Sequence, residues 1–492
     1  MYLARQTFLV LGISRSGKAA AEFLLQKNAK VYLYDDLTND RLEQTMHELE
    51  VEGAIRVQKT DLERVSEVCD GLVLSPGIPI DHPLAVAFKR AGKAVLGETE
   101  LAARHLCCPA IAVTGTNGKT TVVSMIETVL NKGGLSAKAC GNIGTPMVEL
   151  CQAEEDKIAV AEISSFQMET LNSFCPHISV ILNITEDHLN RHYTMENYIF
   201  LKVKLLKNAT ETEFAVLNYD DVTVRAFAEK TKAKVVYFSV REQVRGAFYQ
   251  QGNLYFGKEK ILAVEDLPIG GLHNVQNALA VIAVAKIMGI STAAIVEGLT
   301  DFKGVKHRLE LVAKIDGVTY IDDSKGTNVD ATIKAIAAMK EETVLLLGGK
   351  NKGYQYDRLF AALEKSKVIH AVLYGENRYT LLRSARENGY ESVTICDQFD
   401  FAVRIAAMKA MSGQTVLLSP ASASFDAFSS YEERGERFIE VIRAIHQTSS
   451  GKELCAREGR ELDEGIDEFE DGNADDDFED GAEKSYTIEE TE

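Results

Sequence analysis

The sequence contains no tryptophan and only 8 prolines in 492 residues, which excludes a collagen-like repeat or a proline-rich spacer protein. No uninterrupted apolar run approaches the ~18 residues that a membrane span requires, and no signal peptide precedes the first strand-like segment. A cytoplasmic chain without membrane insertion is the expectation. Cysteine is present at 8 positions, Cys69, Cys107, Cys108, Cys140, Cys151, Cys175, Cys396 and Cys455. None forms a CxxC pair, so a zinc ribbon or a dense disulfide framework is excluded and reduced thiols are expected. Excess positive charge is also missing. The formal net charge is −19, and no nucleic-acid partner is expected.

Most of that charge sits at one end. Residues 451–492 hold 18 acidic and 4 basic side chains, a net −14 that leaves only −5 for the rest. A segment so poor in aliphatics and rich in like charge cannot bury enough apolar surface to offset its ordering entropy, so 449–492 is expected to be a disordered acidic tail.

What is present is glycine, at 35 positions, in a chain long enough for roughly three cores at ~150 residues each. Residues 1–97 open as strand Thr7–Leu11, a turn from Gly12 to Gly17, helix Ala19–Gln26, and strand Lys30–Tyr34 ending in Asp35-Asp36. That is a βαβ unit. Apolar runs Gly71–Leu74 and Ala94–Leu96 extend a parallel sheet. A second unit, 98–303, starts with strand Ala110–Val113, a Gly-rich turn and helix Lys119–Leu130. Strands Ile158–Glu162, Ser179–Asn183 and Phe214–Asn218 follow, with a helix Asn274–Met288. A third α/β unit, 304–448, has strands near Val318–Asp322, Thr343–Leu347, Ala371–Tyr374 and Thr415–Leu418. The fold class is α/β with three domains and parallel sheets.

The strongest local signal is Thr114-Gly115-Thr116-Asn117-Gly118-Lys119-Thr120-Thr121, between a buried strand and an amphipathic helix. Its glycines let backbone N–H groups face phosphate oxygens at the positive end of the helix. Lys119 supplies charge to the outer phosphates, and Thr120 offers a hydroxyl to Mg²⁺. The turn Gly12–Ala19 has similar glycine and lysine spacing but puts Ala19 where that hydroxyl belongs, so it is not expected to hold Mg-ATP. Asp35 and Asp36, about 20 residues after that turn, end a strand where a carboxylate accepts from a ribose hydroxyl. Glu162 and the pair Asp187-His188 end strands whose C-terminal edges face the phosphate loop, and their oxygen and nitrogen atoms suit Mg²⁺ or Mn²⁺. In the third unit, Asp322–Asn328 and Gly348–Gly353 set charged groups in turns after strands as candidate anion sites.

Together with Gly141-Asn142-Ile143-Gly144, Leu272-His273-Asn274, Asn277-Ala278, His307-Arg308-Leu309-Glu310 and Leu418–Phe438, these motifs in this order resemble the Mur ligase family over about residues 5–445. The resemblance implies a Rossmann-like N-terminal domain for a UDP substrate, a central P-loop ATPase-type domain, and a Rossmann-like C-terminal domain that brings an amino acid. It implies ATP-dependent joining of D-glutamate to UDP-N-acetylmuramoyl-L-alanine through an acyl phosphate, by a monomer. ATP would be held by Gly115, Thr116, Asn117, Gly118, Lys119, Thr120, Thr121, Asn274 and Arg308, with Asp323 at the ribose or the hinge and Lys325 at the phosphate end. Two Mg²⁺ ions, with Mn²⁺ as an alternative, would be held by Thr120, Glu162, His188 and a carbamylated lysine, placed at Lys202 with Lys204 as the competing position. The UDP substrate falls to Ser14, Arg15, Asp35, Asp36, Ser75, Pro76, Gly77 and Asn142. D-Glutamate falls to Thr327, Lys352, Ser424, Phe425 and Tyr431. Tyr431 departs from the apolar aromatic usual there, and the acidic tail has no family counterpart.

Overall fold

The computed structural model describes residues 3–152, 157–351 and 353–445; the expected disordered tail and the assignment of Lys352 lie outside them. The features below belong to the compact unit that ends at Ile442.

Apolar runs that end at Gly or polar turns become strands buried on both faces, and these gather into three sheets. The first contains β1 (Thr7–Leu11), β2 (Lys30–Tyr34), β3 (Ile55–Arg56), β4 (Gly71–Leu74) and β5 (Ala94–Gly97) in the order β3-β2-β1-β4-β5. All its pairs are parallel. Strand order reverses between β1 and β4, which opens a crevice at their C-terminal ends.

The central sheet contains β6 (Ala110–Thr114), β7 (Ser136–Gly141), β8 (Lys157–Glu162), β9 (Ile178–Ile181), β10 (Phe214–Asn218), β11 (Lys234–Ser239), β12 (Gly246–Gln250), β13 (Asn253–Phe256) and β14 (Glu259–Ala263). Their order is β14-β13-β12-β11-β10-β9-β6-β8-β7, parallel except for the hairpins β12-β13-β14. The third sheet contains β15 (Glu310–Ile315), β16 (Val318–Asp322), β17 (Thr343–Gly348), β18 (Val368–Tyr374), β19 (Val393–Ile395) and β20 (Thr415–Leu418). It runs β15-β16-β20-β17-β18-β19, with only β15 antiparallel among the described strands.

Several boundaries differ from the sequence expectation, among them helix Leu272–Ile287, expected as Asn274–Met288, and strand β18, expected to start at Ala371; two others have a clear local cause. The first helix begins at Arg15 rather than Ala19, because Ser14 already accepts the Lys18 amide at 2.8 Å. Strand β9 stops at Ile181 rather than Asn183. The Asn183 side chain is drawn to the phosphate loop, accepting from the Asn117 amide at 2.8 Å and donating to its carbonyl at 3.0 Å.

One apolar cluster runs from Phe8 and Leu24 through Leu101 and Ala102 to Ala159 and Met168, so the first and central sheets share packing. Another fills the central sheet against helix Leu272–Ile287. No described helix is long and apolar enough to cross a membrane.

Candidate active site

The phosphate loop leaves β6 at Gly115, whose φ is 154° and where a Cβ would stand 3.0 Å from Leu182 Cβ and 3.3 Å from the Asn183 nitrogen. Only glycine suits that backbone and that gap. Gly118, at φ 88°, turns the chain into helix Lys119–Lys132. The loop is clamped from the next strand: the Thr116 amide donates to Asn183 O at 2.9 Å, and the Thr116 hydroxyl donates to Thr185 O at 3.0 Å. Lys119 Nζ curls onto the carbonyls of Gly115 and Thr116 at 2.9 and 2.8 Å, within reach of a phosphate chain laid along the loop.

Thr120 follows Lys119 on the helix and donates to Glu162 Oε2 at 2.8 Å, while Asn142 donates to Glu162 Oε1 at 2.7 Å. A hydroxyl and a carboxylate converging beside a phosphate loop form an oxygen-rich donor set that fits Mg²⁺. Opposite them, His188 adopts left-handed backbone angles (φ 55°, ψ 30°), and its ring meets the Phe166 ring edge-on at 4.7 Å. Strain of this kind persists where the surroundings hold it.

Lys202 reaches the same floor from helix Met195–Val203. It is fully buried, donates to Gly115 O at 2.9 Å, and lies 4.6 Å from the Tyr198 ring centroid. Burial, reinforced by the nearby Lys119 charge, holds its amine well below the usual lysine range. Lys204 faces elsewhere, donating to the carbonyls of Met168 and Glu169.

The third sheet supplies the other wall. Arg308, Lys325, Thr327, Ser424, Phe425 and Tyr431 join the phosphate loop, Glu162, His188 and Lys202 around a cleft of about 610 Å³. Lys325 donates to the Tyr431 hydroxyl at 2.6 Å, and burial lowers its pKa to about 8. The two modules touch directly across the loop, where Asn117 Nδ2 donates to Asp330 Oδ2 at 2.7 Å.

Behind the loop a narrow slot of about 30 Å³ is lined by Asn117, Gly118, Thr121, His273, Asn277, Arg308 and Asp323. Arg308 Nε and Thr121 Oγ1 are buried there without a protein hydrogen-bond partner. Buried donors without partners are costly, so an acceptor group at the slot would be stabilised by both. Asp323 accepts from Ser419 at 2.7 Å, and burial raises its pKa to about 6. Asn277 stands on the slot wall; Asn274 lies one layer back, donating to Gly270 O and accepting from Asn277.

The residues expected for the UDP substrate form a separate group at the crevice of the first sheet. Asp35 accepts from the Ile13 amide at 2.7 Å, Asp36 pairs with His82 at 3.0 Å, and Ser14 stands 3.3 Å from Ser75. Arg15 is exposed at the start of its helix. Asn142 is not with them but against Glu162. Sequence reasoning overlooked Arg191, which ties this group to the cleft. Its guanidinium donates to Ile78 O at 2.7 Å and to Gly77 O at 3.3 Å while paired with Glu169 at 2.6 Å. The spacing of Arg191 three residues after His188 was the available signal. Phe166 is also on the cleft wall, as are Lys350 and Asn351 from the turn Gly348–Gly353 that the sequence offers as a candidate anion site.

Comparison with known proteins decides the family. Residues 6–97 match the model described as Mur ligase MurD-like, N-terminal domain. Residues 113–285 match the Mur ligase middle domain, and residues 307–422 the Mur ligase, glutamate ligase domain. The UDP-N-acetylmuramoylalanine--D-glutamate ligase of Pelotomaculum thermopropionicum is 40% identical over 448 residues, covering 90% of this chain and 98% of that protein. The chain belongs to the Mur ligase family. The ligase of the same name from Clostridioides difficile is 38% identical, covering 90% of this chain and 100% of its own. Among solved structures, the UDP-N-acetylmuramate-alanine ligase MurC from Thermotoga maritima aligns with TM-score 0.58 at 19% identity, covering 89% of this Mur ligase and 99% of that chain. The MurF ligase from Thermotoga maritima in complex with ADP aligns with TM-score 0.56 at 15% identity, covering 91% and 96%. At such identities these two establish a shared fold.

Proposed function

We propose that this Mur ligase acts in the cytoplasm as a monomer and joins D-glutamate to UDP-N-acetylmuramoyl-L-alanine at the expense of ATP, a step in building the peptidoglycan precursor. The observation that carries the reading is the single cleft in which Lys119, Thr120, Glu162, His188 and Lys202 face Lys325, Thr327 and Ser424. Curated relatives about 40% identical over nearly their full length bear the name of that reaction.

Both the carboxylate to be activated and the phosphoryl donor are anions, so the chemistry needs converging cations. The alanine carboxylate oxygen attacks the γ-phosphorus of ATP, the bond to the bridging oxygen breaks, and ADP leaves. The amine of D-glutamate then attacks the acyl-phosphate carbon, and the tetrahedral intermediate expels phosphate as the nitrogen loses its proton. Gly115–Thr121 cradle the phosphates and Arg308 donates to them from across the hinge. Asp323, Asn274 and its neighbour Asn277 serve the nucleoside side. Two Mg²⁺ ions, for which Mn²⁺ is an alternative, supply charge neutralisation along the phosphates; Thr120 and Glu162 would hold one, and His188 with a carbamate on Lys202 the other. Lys325 guards the phosphate end.

The three domains divide the work. The first, 1–97, holds the uridine nucleotide at Ser14, Arg15, Asp35, Asp36 and Ser75–Gly77, and Arg191 links that crevice to the cleft. The central domain, 98–303, holds ATP, and Asn142 faces the muramoyl-peptide end. The third, 304–448, holds D-glutamate among Thr327, Ser424, Phe425, Tyr431 and Lys352.

The test is phosphate release with defined substrates. It should require UDP-N-acetylmuramoyl-L-alanine, D-glutamate and Mg-ATP together, and Lys119→Ala should slow it by roughly 100-fold or more. Equal turnover with L-glutamate, or with an acceptor lacking the UDP group, would rule the assignment out.

A further inference from the structure

Three segments meet at one buried carboxylate, that of Asp187. Asp187 ends the central-sheet turn just before His188, and its Oδ2 lies 3.5 Å from His188 Nε2. The same oxygen accepts from Asn328 Nδ2 at 3.3 Å. Asn328 is no loose partner, because its Oδ1 caps helix Val329–Ala337 by accepting from the Ala331 amide at 2.8 Å. The other oxygen, Oδ1, accepts the hydroxyl of Tyr354.

Tyr354 belongs to the turn that leaves β17. Asn351 Oδ1 stiffens this turn by accepting from the Gly353 and Tyr354 amides at 3.0 and 2.8 Å. The turn is in register with the amino-acid wall. The Lys350 amide donates to Ala423 O at 2.9 Å and the Ala423 amide to Lys350 O at 3.1 Å, next to Ser424 and Phe425. Burial and the Asp187 charge push the Tyr354 hydroxyl far above the usual phenol range, so it remains a donor at working pH. A phenol hydrogen-bonded to a buried carboxylate is among the stronger and more directional of neutral-to-charged contacts.

We infer that Tyr354 is a positioning residue for the second half of the reaction: through Asp187 it fixes Lys350, Asn351 and Gly353 of its turn, and with them the D-glutamate wall at Ser424 and Phe425, relative to His188. This rests on the ligase reading above and deepens it. Tyr354 is not among the residues lining the nucleotide slot; its link to the phosphate loop runs only through Asp187 and Asn328 to Asn117, whereas its own turn pairs directly with Ala423, so its hydroxyl bears chiefly on where the amine arrives. The reactive amine must approach the acyl carbon to within bonding geometry, and small misplacements there are costly.

The experiment uses Tyr354→Phe in the full chain, which keeps the ring and removes only the hydroxyl. Two measurements separate the halves of the reaction: single-turnover ADP formation from Mg-ATP and UDP-N-acetylmuramoyl-L-alanine without D-glutamate, and steady-state amide formation with D-glutamate varied. Loss of one such bond should raise KM for D-glutamate by roughly 10-fold while ADP formation and the melting temperature stay near those of the unmodified chain. An unchanged KM for D-glutamate, or an equal fall in both halves, would overturn the positioning role. Amide formation by the unmodified chain is the separate control. If it makes none, the ligase reading falls and takes this inference with it; if it makes amide normally and Tyr354→Phe is indistinguishable, only the inference falls.

Discussion

Lys202 and Lys204 are two residues apart, and the sequence offers no physical reason to prefer either for a carbamate. The helix separates them. Lys202 points into the cleft floor beside Gly115 and Lys119, whereas Lys204 reaches the carbonyls of Met168 and Glu169 on another face. Burial shifts the Lys202 amine toward its neutral form, the form whose lone pair attacks CO₂; the N–C bond forms, one C=O pair moves to oxygen, and the proton leaves to solvent. The resulting carboxylate would face a cation-rich floor. Intact mass measured without acid treatment should therefore show one CO₂ increment in the unmodified chain and in Lys204→Ala, and none in Lys202→Ala. The last variant should lose on the order of 100-fold in ligation, with partial recovery on adding a short free carboxylate. A CO₂ increment retained in Lys202→Ala would move the site elsewhere.

At the scale of elements, helix Glu98–Ala103 has a greater part than its six residues suggest. It follows β5 and packs into the seam between the first and central sheets, with Leu101 and Ala102 in their shared apolar cluster. Its acids are inside. Glu100 accepts from the Asn172 amide at 2.7 Å and the Ser173 hydroxyl at 2.8 Å, and Arg104 donates to it at 2.8 Å. Glu98 accepts from the Val148 amide at 2.8 Å, and burial raises its pKa to about 7. The folded chain therefore binds more protons at this site than the unfolded chain between pH ~4.5 and ~7, and stability must fall as pH rises through that window. The difference is on the order of 3 kcal/mol. Glu98→Gln keeps an oxygen for Val148 and removes the titration, so its melting temperature should exceed that of the unmodified chain by several degrees at pH 8 and converge with it near pH 5. A constant gap across that range would refute the assignment. None of this was legible in the sequence, where Gly97-Glu98 reads as a polar strand end.

The elements that were legible share one property: an apolar run closed by Gly or a charged turn, as at Thr7–Leu11, Gly71–Leu74 and Phe214–Asn218. Strands β7 and β14 escaped notice because they sit at the sheet edges, where exposed positions break the apolar run; Ser136 and Lys138 in β7 and Glu259 and Lys260 in β14 face solvent. The motif residues converged because phosphate-binding and carboxylate motifs occupy C-terminal strand ends, which a parallel sheet gathers on one edge. Asn142 was assigned to the muramoyl side from its motif, and its bond to Glu162 depends on β7 lying beside β8, a pairing that no local pattern announces.

For the whole molecule, the slot proposed above for the nucleotide sets a condition on dynamics. Its volume of about 30 Å³ is a single water's share of space, far below the ~300 Å³ at which ligand pockets begin. Its walls come from both the central and the third modules: Asn117, His273 and Asn277 on one side, Arg308 and Asp323 on the other. Asn277 and Asp323 on those walls are buried and hydrogen-bonded. The modules must part before adenosine enters, and the bonds that resist parting include Asn117 to Asp330 and Asn328, and Asp187 to Asn328 and Tyr354. Binding that waits on such a step has a rate that levels off with ligand concentration. In stopped flow with a fluorescent ATP analogue, the observed rate should reach a plateau. Asp330→Ala, which removes the Asn117 Nδ2 bond and leaves only that from Asn328 to Asn117 Oδ1, should raise that plateau by roughly 5-fold, as expected for losing one hydrogen bond of about 1 kcal/mol. A rate that climbs linearly to the highest concentrations, the same in both chains, would mean that the slot admits nucleotide without the modules separating.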